Sequence, residues 1–233
     1  MPAQAVTRLV FDAPSPAPAR KHFVCGLQDA LLSDAVSNLL PLGLSRRRFR
    51  YLVDLAAIDA GVDGAKANWM FTASDGKPST IVVAVLPAEC SRHASPVRPH
   101  ALTALLKDSK SADVLMVLED ASHAGGAACA IGRAFPTYSA KTRPAGGDMA
   151  EQTIHVSFAT RDGPLGGGYS KYAAAAAAVR RAARLVDLPP DALTASAFVK
   201  EARAAAERLG AAGFDVQMAI PLWELNHASP MCA

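Results

Sequence analysis

Thr80-Ile81-Val82-Val83-Ala84-Val85-Leu86 and, further along, Asp113-Val114-Leu115-Met116-Val117-Leu118 are the two stretches that decide how this chain folds. Both are short, and their apolar runs do not alternate with polar residues. A strand exposed on one face alternates, whereas a strand covered on both faces reads as a continuous apolar run. Between the two lies Arg98 to Lys107, which has helical character. After the second comes Ser122 to Phe135, a helix of small residues. Strands separated by helices of this length indicate an α/β layer architecture with a mixed, largely parallel sheet.

Toward the amino terminus, Thr7 to Phe11 and Lys21 to Cys25 read as short strands parted by a Pro/Ala connection that can continue neither. From Gln28 to Leu40, Leu32, Val36 and Leu39 recur at helical spacing, and Pro41 with Gly43 ends the segment. Ser45 is placed to cap a second helix running to about Ala60, with Gly61 and Gly64 as its stop. Ala67 to Thr72 is strand-like, and Asp75-Gly76 turns it back into Thr80 to Leu86. Toward the carboxyl terminus, Ile154, Val156 and Phe158 alternate with His155 and Ser157, which predicts a half-exposed strand near a sheet edge.

From Tyr169 the composition changes. Ala173 to Ala178 are six consecutive alanines leading to Val179, Ala183 and Val186, the apolar face of a long helix, with Arg180, Arg181 and Arg184 on its other faces. Polyalanine is favourable in a helix and lets a neighbouring backbone come close. Pro189-Pro190 stops that helix. Thr194 caps the next, with Leu193 and Phe198 spaced as a hydrophobic staple and Phe198, Ala205 and Leu209 as its expected buried face.

Composition narrows the classes of function. Of 233 residues 51% are hydrophobic and 19% charged, enough to build a core. The net charge of +3 is too small to mark a nucleic-acid binder, and no stretch approaches the roughly 20 apolar residues of a membrane span. Met1 to Asp12 lacks a signal-peptide pattern. Cys25, Cys90, Cys129 and Cys232 show no metal or redox spacing, so a reduced, cytoplasmic setting is expected.

Three segments together carry a family resemblance: Ser91-Arg92-His93-Ala94-Ser95-Pro96 after a buried strand, DVLMVLEDASHAGGAACAIGRAFPTY from Asp113 to Tyr138, and VRRAARLVDLPPDALTASAFVKEARAAAERLG from Val179 to Gly210. The third is the most specific, because a helix ending Arg-Leu-Val-Asp before prolines and a Thr-capped helix is an unusual combination. The chain thereby resembles the amino-terminal domain of the cytosol (leucyl) aminopeptidase family, in particular its probable aminopeptidase-like branch. The likeness spans about residues 80–210.

The resemblance implies a macro-like three-layer α/β domain over 1–165, interdomain linker helices over 166–210, and a truncated or divergent start of a catalytic domain over 211–233. It implies an oligomeric metallo-exopeptidase that removes N-terminal amino acids from peptides, with zinc or manganese in a carboxy-terminal domain. The family's metal ligands lie in a Lys-x-x-x-x-Asp-Thr-Gly-Gly strand and an Asn-Thr-Asp-Ala-Glu-Gly-Arg loop, and this sequence contains neither string. No catalytic, cofactor-binding or metal-binding residue is therefore assigned to the chain, which is expected to be inactive alone. Its expected partner is itself or a full-length aminopeptidase, with no nucleic acid and no membrane. The alternatives are a stand-alone module for a small, nucleotide-type ligand and a non-catalytic subunit of an aminopeptidase hexamer.

Several residues invite sharper readings. Cys90, His93 and His100 lack the fourth donor that a structural zinc needs, and His93 reads as a loop residue. Gly163 to Lys171 (GPLGGGYSK) opens the long helix without the order of a nucleotide loop, so a flexible connection is expected. Gly125-Gly126 suits close helix–sheet packing better than phosphate binding. Arg46-Arg47-Arg48 with Arg50 is the one basic cluster and reads as a solvated helix face. His155 is expected on a strand, facing solvent or a helix.

Overall fold

The structure, a computed structural model, describes residues 7–12, 20–90, 95–107, 112–137 and 152–211. Two compact units divide the chain, Met1–Val186 and Asp187–Ala233. The first is built on one sheet: β1 (Thr7–Phe11), β2 (Lys21–Gly26), β3 (Ala65–Thr72), β4 (Pro78–Val85), β5 (Asp113–Leu118), β6 (Gln152–Thr160) and β7 (Gly163–Pro164). The order is β1-β6-β5-β2-β4-β3, with β7 on β6. Pairings among β1, β6, β5, β2 and β4 are parallel, and β3 and β7 join antiparallel. The sheet is thus mixed and largely parallel, as the apolar runs require.

Helices cover both faces. On one lie α1 (Gln28–Leu31), α2 (Asp34–Ser37) and α3 (Arg46–Ile58), which pack with Val24, Ile81, Val83 and Val117. On the other lie α4 (Pro99–Lys107), α5 (Ala124–Ala134, entered through a 3-10 turn at Ala121–His123) and α6 (Tyr169–Asp187), against Phe23, Met116, Val156 and Phe158. Successive residues of β4 and β5 therefore serve opposite cores, which is why neither strand alternates. On β6, His155 points away from the α4–α6 face, where Ile154 and Val156 are buried, and β1 alone separates β6 from the sheet edge. The half-exposed, near-edge strand is as expected.

The local signals around α3 also hold. The Ser45 hydroxyl accepts a hydrogen bond from the Arg48 amide at 3.2 Å, and Gly64 takes φ +73° beyond the helix end. The Asp75-Gly76 turn is closed by Arg20, whose Nη2 lies 2.6 Å from Asp75 Oδ2. Those Arg20 hydrogen bonds hold the Asp75 carboxyl down to about 2.

The single helix expected over Gln28 to Leu40 is instead α1 and α2. Ser33 breaks it by adopting extended backbone and accepting a hydrogen bond from the Val36 amide at 3.3 Å. A short side-chain oxygen competes with the helical ladder in this way. The apolar spacing still served burial, since Val36 is fully covered and Leu32 and Leu39 pack beside it.

α6 is held to the sheet by its small residues. A Cβ on Gly132 of α5 would sit 2.8 Å from the Ala176 carbonyl oxygen and 3.0 Å from Ala176 Cα, so only glycine permits this crossing. Tyr172 meets Phe158 edge-on at 5.2 Å between centroids, and Phe158 stacks on Phe11. The buried stripe of α6 is Tyr172, Ala176 and Ala183 rather than one ending at Val186, which is 82% exposed. The stripe starts earlier because the tyrosine, not the valine, reaches the sheet. In the second unit α7 (Ala195–Ala211) is capped as expected, with the Ala197 amide donating to Thr194 Oγ1 at 3.3 Å. It buries no residue, however, so Phe198, Ala205 and Leu209 do not form a buried face.

The Gly132 contact is testable beside its exposed neighbour. Gly132→Ala should destabilise the protein by about 1–3 kcal/mol, because the methyl meets backbone that cannot move aside. Gly125→Ala, with nothing within 4 Å, should stabilise by about 0.5–1 kcal/mol. Urea denaturation of both variants reads the difference, and equal effects would contradict the crossing.

Candidate functional site

The carboxyl ends of β2, β4 and β5 are where this topology leaves a crevice. The chain leaves β2 toward the α1–α3 face, but leaves β4 and β5 toward the α4–α5 face. Ligands of open α/β sheets bind at such switch points. The crevice is lined by Leu27, Leu86, Val97, Arg98, Glu119 and His123, among others, and encloses about 10 Å³ of water-accessible space. That is room for about one water molecule.

Arg98 organises this crevice. Among the described residues it is the one non-glycine at positive φ, +52°. The following proline disfavours an ordinary helical conformation here. Its amide donates to Ser95 O at 2.8 Å, and its carbonyl accepts from Leu102 in the first turn of α4 at 3.0 Å. The guanidinium is buried: Nη1 donates to Pro96 O and, at 3.1 Å, to Glu119 Oε2, while Nη2 donates to Ala88 O at 2.7 Å. One side chain thus ties the segment after β4 to the segment after β5. Its Nε is buried without a hydrogen-bond partner, and the crevice beside it has space for a water to accept that proton.

Arg180 makes the second such tie. Its Nε donates to Phe135 O at 2.8 Å, at the end of α5, and Nη2 donates to Thr7 O on β1. Burial pulls its pKa down from the ordinary arginine value. Neither arginine stood out in the sequence as a site residue. Arg-Pro opening a helix was the available signal for Arg98. For Arg180, which lies off the apolar stripe, there was none.

The residues that did stand out are dispersed. Cys90 is exposed and donates from Sγ to Ser95 O at 3.5 Å, His100 is exposed on α4, and His93 lies outside the described residues. Among the described residues no three His, Cys, Asp or Glu side chains gather as a metal site would need, so those residues do not fit a two-metal centre. Cys25 is fully buried, and burial pushes its thiol pKa far up, which makes it inert. A Cβ on Gly126 would sit 3.2 Å from Val97 Cγ2, so this glycine serves packing, against the segment before α4 rather than the sheet. The Asp120 carboxylate caps the 3-10 turn that leads into α5, accepting from the Ser122 amide at 2.8 Å, and hydrogen bonds from Ser122 hold its pKa down.

Gly163 to Lys171 begins as strand β7 on β6 rather than as a loose connection, with the Leu165 amide donating to Phe158 O at 2.9 Å. Lys171 Nζ lies 5.0 Å above the Tyr172 ring. In the basic cluster Arg46 pairs with Asp34 at 2.9 Å, Arg48 lies over the Trp69 ring at 4.1 Å, and Arg47 and Arg50 are exposed. His155 is half exposed, with Nδ1 3.8 Å from Asp12 Oδ2.

Residues 38–144 match the family model described as M17 aminopeptidase N-terminal domain 2. That segment is similar to the M17 aminopeptidase N-terminal domain. The chain's fold recurs in leucyl aminopeptidases of known structure. The apo enzyme of Trypanosoma brucei superposes with a TM-score of 0.64 at 21% identity, over 90% of this chain and 43% of that one. The Leishmania major enzyme, in complex with actinonin, gives 0.67 at 20% identity, over 88% and 40%. A tomato leucine aminopeptidase mutant gives 0.51 at 14% identity, over 89% and 43%. The chain thus spans less than half the length of these structures. A search of curated proteins by sequence finds no match.

The Arg98 tie should carry measurable stability. Arg98→Met leaves two carbonyls and a carboxylate without their donor and should cost about 2–4 kcal/mol. Glu119 is 38% exposed, so Glu119→Gln should cost about 1 kcal/mol or less. Chemical denaturation compares them, and a neutral Arg98→Met would refute the role.

Proposed function

We propose that this chain is the non-catalytic amino-terminal domain of a leucyl aminopeptidase-like metallo-exopeptidase, a scaffold that packs with a metal-bearing catalytic domain. One observation carries the reading: the family-model match and the leucyl aminopeptidase fold fall on the same α/β unit. The family's activity is metal-dependent removal of N-terminal amino acids from peptides, and zinc or manganese would belong to that catalytic domain. The described residues supply no step of that chemistry.

The division into a domain over 1–165, linker helices over 166–210 and a divergent catalytic start over 211–233 is part of the same proposal. The uncovered α7 is what supports a bridging role for the helical segment. The proposed partner is a second copy or a full-length aminopeptidase, in the cytoplasm. No helix among the described residues is long and apolar enough to cross a membrane. A macro-like, nucleotide-binding role is less favoured, because the crevice at the strand ends holds about one water molecule and not a nucleotide.

The purified chain should release no leucine from a chromogenic aminopeptidase substrate, with or without manganese or zinc. Activity above the buffer blank that survives repurification would overturn the proposal.

A further inference from the structure

The outer face of α3 is unlike that of an ordinary surface helix. At about 100° per residue, Phe49, Leu52, Val53 and Ala56 form the stripe buried against the sheet. Tyr51, Leu55 and Ile58 form a second apolar stripe on the opposite side, 55%, 42% and 80% exposed. An exposed apolar stripe of this kind on a helix marks a contact surface.

The charges of α3 are also reversed against its dipole. Its first turns carry Arg46, Arg47, Arg48 and Arg50 with no acid of their own, Arg46 being already paired with Asp34 of α2, and its end carries no base but is followed by Asp59 and then Asp63. An isolated helix is stabilised by the opposite arrangement, acids first and bases last. A partner that presents acids to the first turn and bases to the last would correct this. An antiparallel copy of α3 does both.

We infer that the outer face of α3 is a self-association surface, on which a second copy of this chain docks its own α3 antiparallel about a two-fold axis. The axis passes near Leu55, so Leu55 meets its mate and Tyr51 meets Ile58. By helical spacing Arg48 and Asp59 lie on the same flank of the stripe, one near each end, so the two-fold brings Arg48 of each copy to Asp59 of the other. Arg48 is held over Trp69 at 4.1 Å and is ordered for that contact, while Asp59 caps the helix end and is exposed. Asp54 lies near the axis on the other flank and faces its own mate, a repulsion partly offset by Gln28 Nε2, which donates to Asp54 Oδ1 at 3.3 Å. Arg47 on that flank faces the Asp63 end of the partner.

This surface is independent of the aminopeptidase reading and of α6 and α7. Sedimentation equilibrium of the full chain up to about 100 µM tests it, with folding checked by circular dichroism and thermal melting. We expect a reversible dimer, and Leu55→Glu should raise its dissociation constant about tenfold or more. Arg48→Glu and Asp59→Arg should each weaken it, and the double variant Arg48→Glu/Asp59→Arg should restore it, since the swap recreates the cross-pair. A monomer throughout the range overturns the inference. So does a dimer that tolerates Leu55→Glu, one that depends instead on residues 169–211, or a double swap that restores nothing.

Discussion

Burial of β2, β4 and β5 on both faces is the constraint from which the rest of the structure follows. Parallel neighbours cannot be joined by a two-residue turn, so each connection must cross a face of the sheet as a helix. With α1–α3 on one face and α4–α6 on the other, the central residues of these strands meet protein on both sides, and apolar side chains are needed at consecutive positions. The same crossing rule places the carboxyl ends of β2 and β5 beside each other with their chains leaving in opposite directions. The crevice at that point is closed by Arg98, which donates to the segments after β4 and β5 together.

The second helical layer closes around small residues. Gly132 and Ala176 let α5 and α6 touch backbone to backbone, and Arg180 fixes the result by donating to the end of α5 and the start of β1. α6 therefore completes the first unit, whereas α7 belongs to the second and buries nothing. A scaffold role in an aminopeptidase is consistent with this division: a finished α/β unit followed by a helix whose apolar residues remain available.

How much of this the sequence carried depended on whether the signal was local. The Ser45 cap, the Asp75-Gly76 turn and the two apolar runs are set by neighbouring residues, and all appear as expected. The break at Ser33 was hidden because Leu32, Val36 and Leu39 keep helical spacing across it, and burial rather than helix continuity maintained that spacing. Val186 read as core because periodicity continues past the point where the sheet ends. Arg98 and Arg180 escaped notice because, Glu119 apart, their partners are backbone carbonyls brought close by the fold, and a carbonyl leaves no mark in sequence.

α6 packs on the sheet unit through Tyr172 and Ala176. Hydrogen exchange followed by mass spectrometry tests this on the intact chain. Amides from Tyr172 to Ala183 should exchange about as slowly as those from Ile154 to Phe158, and those of α7 markedly faster. Exchange of Tyr172 to Ala183 at the rate of α7, with the sheet still protected, would contradict it.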